Sequence, residues 1–338
     1  MDDFSPADLK TILHSKRANM YYLEHCRVMQ KDGRVLYFTE AKNENLYFNI
    51  PIANTTVLLL GTGTSITQAA MRMLSQAGVL VGFCGGGGTP LYMSTEVEWL
   101  TPQSEYRPTE YLQGWMRFWF DDKKRLAAAK TLQRSRISYL QKTWQSSREL
   151  QNEGFIYNDT LIQNALETFH TRTEAADDPQ TLLLTEAQLT KALYKYAANN
   201  TGQKNFTRQH QAMDKANAFL NHGNYLAYGL AASCLWVLGI PHGFAVMHGK
   251  TRRGALVFDV ADLIKDAIVL PWSFICAKEG ASEQEFRQQI LQSFIDNHAL
   301  DFLFDTVKTI ALQTGSEQQI QEPKLWWSLL FRNVKNMH

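Results

Sequence analysis

The residues best suited to chemistry lie in one stretch, residues 241–271, with the sequence PHGFAVMHGKTRRGALVFDVADLIKDAIVLP. His248 stands beside a glycine-flanked turn that carries a lysine and two arginines. Three aspartates follow it, namely Asp259, Asp262 and Asp266. Imidazole, carboxylate and guanidinium groups gathered in so few residues are the means of holding a divalent metal ion against a phosphate.

The apolar residues after Asp259 recur at helical spacing, which predicts a helix that begins there and ends at Pro271. On this helix Asp259 and Asp262 share a face, because residues three apart are neighbours. Two carboxylates so close repel each other unless a cation lies between them, either a metal ion, Lys265 or a nearby arginine. The spacing also allows an interpretation without a metal ion, in which Asp259 caps the helix and His248 is a hydrogen-bonded loop residue.

Composition indicates an ordinary globular protein. The chain has 338 residues, 45% of them hydrophobic and 20% charged, which is long enough for two domains. The formal net charge of +1 excludes bulk charge as the basis of nucleic-acid binding, so a nucleic acid would have to contact local basic patches. Four separated cysteines without a CxxC pair predict reduced core residues of a cytoplasmic protein.

Targeting and membrane signals are weak in this sequence. The first ten residues begin with acids and lack an apolar run, so we expect no secretory signal. The most apolar stretch, residues 226–247, is interrupted by Gly239 and Pro241, which leaves too short a run to span a bilayer. It predicts a buried core helix and no membrane association.

Strand signals dominate the first hundred residues. MYYLEHCRVMQ and RVLYFTE predict two strands joined by a hairpin turn at Asp32 and Gly33. A helix that ends at Gly78 and a buried strand over residues 79–84 are predicted next. A proline-rich polar linker near residues 102–108 precedes a sequence with helical periodicity almost throughout. We therefore predict an α+β protein, with a small β-rich domain over residues 1–103 and a larger all-α domain over residues 104–338.

The segment VLLLGTGTSIT resembles a nucleotide-binding turn through Gly61 and Gly63. The third glycine of the dinucleotide fingerprint is replaced by Ile66, and no Gly-Lys-Ser/Thr follows. These departures favour a plain strand-to-helix turn capped by Thr64 or Ser65.

A run of basic residues marks the first long helix. Residues 123–148 contain eight lysines and arginines and no acidic residue. Among them we expect Lys130 and Arg134 to contact DNA phosphates, since no acidic residue in this run offsets the positive charge. A solvated helix face is the alternative, because helical spacing does not place all eight on one side.

Two further segments carry polar groups near predicted apolar faces. Thr185 and Gln188 fit a capping box, which places Glu186 in a first helical turn, yet Glu186 shares a face with apolar Leu189. A carboxylate on such a face needs an arginine, a hydrogen-bond network or a metal ion. In DKANAFLNHGNYLAYGL the asparagines either cap a long apolar helix or support a site; they are Asn217, Asn221 and Asn224.

These features together resemble one family. They are GTGTSIT in the β-rich part, Glu186 with Tyr194 eight positions later, NAFLNHGNYL, and HGK with an aspartate pair. The segments LKTILHSKRAN, IPIANTT, LTPQSEYRPTEYLQ and IPHGFAVMHGKTRRG add to the resemblance. The pattern is similar to the CRISPR-associated spacer-acquisition endonuclease/integrase family ("Cas-one"), in particular its I-F subtype, over nearly the whole chain.

The resemblance implies a site. Glu186, His248 and Asp262 match the family's metal-binding catalytic residues, and Asp259 matches the neighbouring acid of the metal site. Such oxygen ligands with one imidazole suit Mg²⁺ or Mn²⁺. Side chains expected to support the site are Asn217, Asn221, Asn224 and Tyr194. Those expected to hold DNA phosphates, beside Lys130 and Arg134, are Lys250, Arg252 and Arg253.

The implied activity is metal-dependent DNA cleavage and strand transfer, in which a spacer 3′-hydroxyl is joined to a CRISPR repeat by transesterification. The resemblance also implies a homodimer paired through the β-rich domains. Its further partners would be double-stranded DNA (protospacer and repeat) and the "Cas-two"/"Cas-three" fusion protein. Two alternatives remain: a stand-alone nuclease for branched DNA, and a non-catalytic nucleotide-binding or scaffolding module that uses Gly61 and Gly63.

Overall fold

The computed structural model describes residues 19–41, 44–84, 98–100, 109–203, 206–209, 214–249 and 254–313. The strands in these ranges are β1 (Asn19–Leu23), β2 (Arg27–Lys31), β3 (Arg34–Ala41), β4 (Glu44–Ile50), β5 (Thr55–Leu60), β6 (Ser65–Ile66), β7 (Leu80–Phe83) and β8 (Glu98–Leu100). The α-helices are α1 (Gln68–Gln76), α2 (Glu110–Trp119), α3 (Asp122–Ser146), α4 (Arg148–Asn152), α5 (Thr160–Ala175), α6 (Pro179–Asn200), α7 (Lys215–Val237), α8 (Ala255–Ile264), α9 (Leu270–Glu279), α10 (Glu283–Asp296) and α11 (Ala299–Gln313).

The strands form two sheets, with orders β1-β5-β7-β8 and β4-β3-β2-β6. The hairpin between β2 and β3 is confirmed, and Asp32 and Gly33 take φ values of 50° and 71°, as a two-residue hairpin turn requires. The stretch MYYLEHCRVMQ, however, is not one strand. It bends at His25 (φ 47°), so β1 belongs to the first sheet and β2 to the second.

The GTG turn leads into a strand before it reaches the helix. Ser65 and Ile66 pair with β2 in parallel, and the Thr67 side chain accepts a hydrogen bond from Ala70 N at 3.3 Å. The predicted cap at Thr64 or Ser65 was therefore wrong, because the ladder with β2 occupies Ser65 and Ile66 and delays the helix. The predicted stop at Gly78 (φ 73°) is confirmed.

Strand β5 joins two hydrophobic cores. Leu58 and Leu60 pack with α1 and the second sheet, whereas Val57 and Leu59 pack into the helical core, because successive strand residues point to opposite faces. A second link is polar: the Arg287 guanidinium on α10 lies 2.8 Å from the Glu24 carboxylate, just after β1.

The predicted α+β class is confirmed. The boundary at residues 103/104 stays a prediction, since residues 101–108 lie outside the described ranges.

Helix α6 begins earlier than the sequence signals indicated. Its N-cap is Asp178, which accepts from Thr181 N at 2.9 Å, and Pro179 opens the helix. The Thr185 hydroxyl instead donates to Thr181 O at 2.8 Å inside the helix. The predicted capping box at Thr185 was thus wrong, and Glu186 lies in the helix interior.

The chain remains helical from α8 through Pro271, contrary to the predicted stop. Helix α8 starts after Gly254 (φ 70°), and the five residues Lys265–Val269 form a π-helical turn between α8 and α9. Pro271 falls in the first turn of α9, where a missing N–H is tolerated. The Trp144 indole donates to Ala267 O in the π turn at 3.1 Å. Asp259 is consequently not an N-cap.

The apolar stretch at residues 226–247 is helical and buried as far as Val237, where α7 ends. Gly239 (φ 71°) then turns the chain into a loop that leads to His248. Among the helices that the structure describes, none combines the length and apolar character of a membrane span. All four cysteines are buried thiols.

Candidate metal centre

Three side chains from separate elements converge at one point. Glu186 comes from α6, His248 from the loop after α7, and Asp262 from α8. Each offers one ligand atom, and these atoms all lie within 4.8 Å of one another. Two carboxylate oxygens and one imidazole nitrogen form a donor set suited to Mg²⁺ or Mn²⁺.

The carboxylate of Glu186 is suited to bind a cation. Its Oε2 atom is buried and has no hydrogen-bond partner among the described residues. Burial, with the adjacent charge of Asp262, raises the pKa of Glu186 to about 7, although Arg136 and Lys265 oppose the rise. A metal ion at this oxygen would supply the partner that the buried carboxylate lacks.

Asp259 fixes the position of His248. Its Oδ1 lies 2.7 Å from His248 Nδ1 and accepts from His248 N at 3.0 Å. Its Oδ2 accepts from Val246 N and Met247 N at 2.8 and 3.1 Å. Because Asp259 engages Nδ1, the Nε2 atom is left for a metal. Burial lowers the pKa of His248, but the hydrogen bond and charge of Asp259 outweigh it and raise the pKa.

This geometry does not support the predicted role of Asp259 as a fourth ligand. Both of its oxygens are already used by the imidazole and the three backbone amides. The buried carboxylate therefore acts on His248 and on the loop that carries it.

Two cations lie against the acids: Arg136, which is buried, and Lys265, whose side chain is 21% exposed. Lys265 pairs with Asp262, and Arg136 lies 3.0 Å from Glu186 Oε1 and 2.5 Å from Asp266 Oδ2. Burial alone would raise the pKa of Asp262, but the charges of Lys265 and Arg136 lower it overall. Four carboxylates thus outnumber these two fixed cations, which favours the binding of an additional positive charge; they are Glu186, Asp259, Asp262 and Asp266.

Known proteins share the sequence pattern of this chain. The family model described as CRISPR associated protein Cas1 matches residues 20–300. This chain belongs to the Cas1 family. The resemblance predicted from the motifs is confirmed. The chain is 58% identical to the CRISPR-associated endonuclease Cas1 of Pseudomonas aeruginosa, over 92% of this chain and 98% of that protein. The corresponding protein of Pectobacterium atrosepticum is 57% identical, over 91% and 96%.

Solved structures share the Cas1 fold at low sequence identity. A CAS1 protein from Thermotoga maritima superposes with a TM-score of 0.66 at 16% identity, covering 89% of this chain and 98% of the other. A TtCas1–DNA complex gives a TM-score of 0.60 at 20% identity, covering 91% and 94%. A casposase bound to its integration product gives 0.62 at 11%, covering 94% and 98%.

The predicted supporting residues of this Cas1 site divide into two groups. Asn224 and Tyr194 line a small cavity beside Glu186. Asn217 and Asn221 instead accept hydrogen bonds from Arg208 at 2.9 and 2.7 Å. They anchor that arginine.

Arg136 is a buried charge of the candidate site that the sequence did not indicate, because it belongs to the basic run of α3. Its side chain is only 2% exposed. The available signal was its helical spacing from apolar Leu132 and Leu140, both buried on the same face of α3. A charged residue in such a stripe needs a buried counter-charge.

The predicted phosphate contacts remain untested. Arg134 binds both oxygens of the Glu174 carboxylate at 2.7 and 3.0 Å, and Lys130 donates to Glu174 O at 2.7 Å. DNA would therefore have to compete with Glu174 for these side chains. The other predicted contacts, which lie outside the described residues, are Lys250, Arg252 and Arg253.

Proposed function

We propose that this Cas1-family chain is a metal-dependent DNA endonuclease and integrase that inserts new spacers into a CRISPR array. The observation that carries the proposal is the convergence of Glu186, His248 and Asp262 within 4.8 Å, from three separate elements. Two relatives at 57–58% identity bear the name CRISPR-associated endonuclease Cas1, and a casposase bound to an integration product shares the fold.

Glu186, His248 and Asp262 would hold Mg²⁺ or Mn²⁺, which when bound polarises a phosphate and favours deprotonation of the nucleophile. Asp259 keeps Nδ1 of His248 engaged, so that Nε2 is the ring nitrogen left to bind the metal. Lys265 and Arg136 place two fixed positive charges beside the carboxylates. Charges held in position in this way stabilise the extra negative charge that develops on an attacked phosphate.

The strand-transfer step balances without an external energy source. The 3′-hydroxyl oxygen of the incoming strand forms an ester bond to a phosphorus atom of the repeat, and the former ester oxygen leaves as a new 3′-hydroxyl. One phosphodiester replaces another. Hydrolysis is the same displacement with water as the nucleophile, which makes cleavage and joining compatible with one site.

The proposed assembly is a homodimer paired through the β-rich parts, with one metal site in each helical part. Strand β4 lies at the edge of its sheet. It exposes three large apolar side chains to between 44% and 48%, namely Leu46, Tyr47 and Phe48. An apolar edge strand favours pairing with another chain. Double-stranded DNA and the Cas-two/Cas-three fusion protein are the further partners that we propose for the I-F subtype.

The nucleotide-binding alternative has little geometric support. The amide of Ala70 at the start of α1 is bonded to the Thr67 side chain. Ser65 and Ile66 separate the glycines from the helix by a strand. The turn therefore lacks a free helix N-terminus beside Gly61 and Gly63, which a phosphate would need.

Strand transfer tests the proposed function directly. A labelled duplex with free 3′-hydroxyls is incubated with a repeat-bearing plasmid, Mg²⁺ or Mn²⁺ and the partner protein. We expect joining by the wild type and none by Glu186→Ala, His248→Ala or Asp262→Ala. Glu153→Ala is the matched control, because the Glu153 carboxylate lies 2.7 Å from Lys278 Nζ and does not belong to the cluster. Joining by all three site variants would refute the assignment, and cutting without joining would favour the stand-alone nuclease for branched DNA.

A further inference from the structure

We propose that Trp119, assisted by Trp115, is a positioning residue that sets the place of His248 through the loop between α7 and α8. This inference rests on the proposed function, in which His248 is a metal ligand. Both tryptophans lie on α2, far from the loop in sequence, and neither belongs to the Glu186, His248 and Asp262 cluster.

The two indoles hold consecutive carbonyls of the loop. Trp115 Nε1 donates to Phe244 O at 3.0 Å, and Trp119 Nε1 donates to Ala245 O at 2.7 Å. The Trp119 ring also meets the Phe244 ring edge to face, with centroids 4.9 Å apart. The residues that follow carry the amides bonded to Asp259.

The loop is thus held by α2 and by α8. Carbonyls of residues 244 and 245 are bound by α2, and amides of residues 246–248 are bound by Asp259 of α8. No helix or strand includes these five residues, and side chains rather than a backbone ladder satisfy these two carbonyls and three amides. A shift of α2 relative to α8 would strain five hydrogen bonds and move the imidazole with them.

Helix α2 is itself firmly placed. A Cβ atom added at Gly114 would lie 2.1 Å from Ala311 O, so α2 packs directly on the backbone of α11. Arg125 of α3 donates to Trp119 O at 2.9 Å, and its guanidinium lies 5.5 Å from the Trp119 ring centroid. These contacts let α2 serve as a rigid support for the loop that carries His248.

The indole N–H can be separated from the packing of the ring. Trp119→Phe removes the donor to Ala245 O and keeps an aromatic ring at the site. Trp272→Phe is the matched control, because the Trp272 indole on α9 donates to Ser293 Oγ on α10 at 3.2 Å. Both variants lose one indole N–H donor, but only the first loses a contact to the His248 loop.

Two measurements on DNA-free protein test the inference. Electron paramagnetic resonance of free Mn²⁺ gives the metal affinity. We expect this affinity to fall about tenfold in Trp119→Phe, because mutation of residues that orient a metal ligand typically costs that much. Hydrogen exchange of the amides of residues 246–248 should become faster in this variant. Trp272→Phe should leave both unchanged, and unchanged exchange in Trp119→Phe would overturn the inference. Trp115→Phe provides a second variant should Trp119→Phe not fold.

A double-mutant cycle separates this inference from the proposed function. Since Trp119 acts through His248, adding Trp119→Phe to His248→Ala should not weaken Mn²⁺ binding further. An equal loss in both backgrounds would show general destabilisation and overturn the positioning role. A Mn²⁺ affinity that is unchanged in His248→Ala would instead refute the metal site itself. A loss in His248→Ala with none in Trp119→Phe would leave the proposed function intact and reject only this inference.

Discussion

The Nδ1 atom of His248 lies 2.7 Å from Oδ1 of Asp259, whose carboxylate also accepts three backbone hydrogen bonds from the loop that carries the histidine. One buried carboxylate therefore sets both the orientation of the imidazole and the path of its loop. A metal-binding histidine held in this way has one nitrogen committed to the protein and one available to a ligand.

Asp259→Asn should weaken Mn²⁺ binding about 10- to 100-fold, because the neutral amide cannot hold the imidazole and three amides as the carboxylate does. Titration calorimetry with the metal alone measures this effect. Asp305→Asn is the control, since Asp305 is an exposed residue of α11. Equal affinity in the wild type and Asp259→Asn would contradict the orienting role.

Arg136→Met should lower the free energy of unfolding by about 3–5 kcal/mol, because it leaves Asp266 and Glu186 buried without their guanidinium partner. Urea unfolding of the metal-free protein gives the value. Arg134→Met on the same helix is the matched control. Its pair with Glu174 is about 40% exposed on each side, so we expect a loss of at most about 1 kcal/mol. Similar losses in the two variants would argue against a buried ionic network.

The stability of the metal-free protein should fall as pH rises from about 4.5 to above 7. Burial and the charge of Asp262 raise the pKa of Glu186 from 4.5 to about 7, so folding favours its protonated form. That contribution is complete below the unfolded pKa and is lost as the pH passes the folded one. Metal affinity should rise over the same range, because the ligand must be deprotonated. Thermal melts and Mn²⁺ titrations between pH 5 and pH 8 test both trends.

Glu186→Gln supplies the control for this pH dependence, since the amide does not titrate. The variant should show a flatter pH profile of stability than the wild type. Parallel profiles would mean that other groups dominate the titration.

Gly114→Ala should destabilise the protein by about 1–3 kcal/mol. Its new Cβ would lie 2.1 Å from Ala311 O, and overpacking of this kind outweighs the gain in helix propensity. Gly229→Ala on α7 is the matched helical control, because its Cβ would meet nothing nearer than Leu59 at 3.9 Å. We expect that variant to be as stable as the wild type or more so, by up to about 1 kcal/mol. Thermal unfolding compares the two.

The sequence determined the features that depend on nearby residues. The Asp32 and Gly33 hairpin, the helix stop at Gly78 and the apolar course of α7 follow from turn chemistry and periodicity within a few positions. The motifs around Glu186, His248 and Asp262 were also sufficient to indicate the family, and with it the residues that the structure brings together.

Local signals misplaced helix boundaries where another contact prevailed. Thr185 and Gln188 fit a capping box, yet the helix already starts at Pro179 with Asp178 as its cap. Pro271 indicated a stop, but the π-helical turn before it removes the need for its N–H. In the first case a cap and a proline lie upstream of the predicted start. In the second, the Trp144 indole of α3 donates to Ala267 O, the carbonyl four residues before the proline.

Only the tertiary structure decided which charges meet. Arg136 and Asp266 are 130 positions apart, and nothing in the basic run of α3 distinguished this arginine as a buried partner of two acids. The same holds for Asp259, which the motif indicated as a ligand and which packing assigned to His248 and its loop. The reason is physical: burial removes water from these groups, so each must find its counter-charge or donor on whichever distant element packs against it.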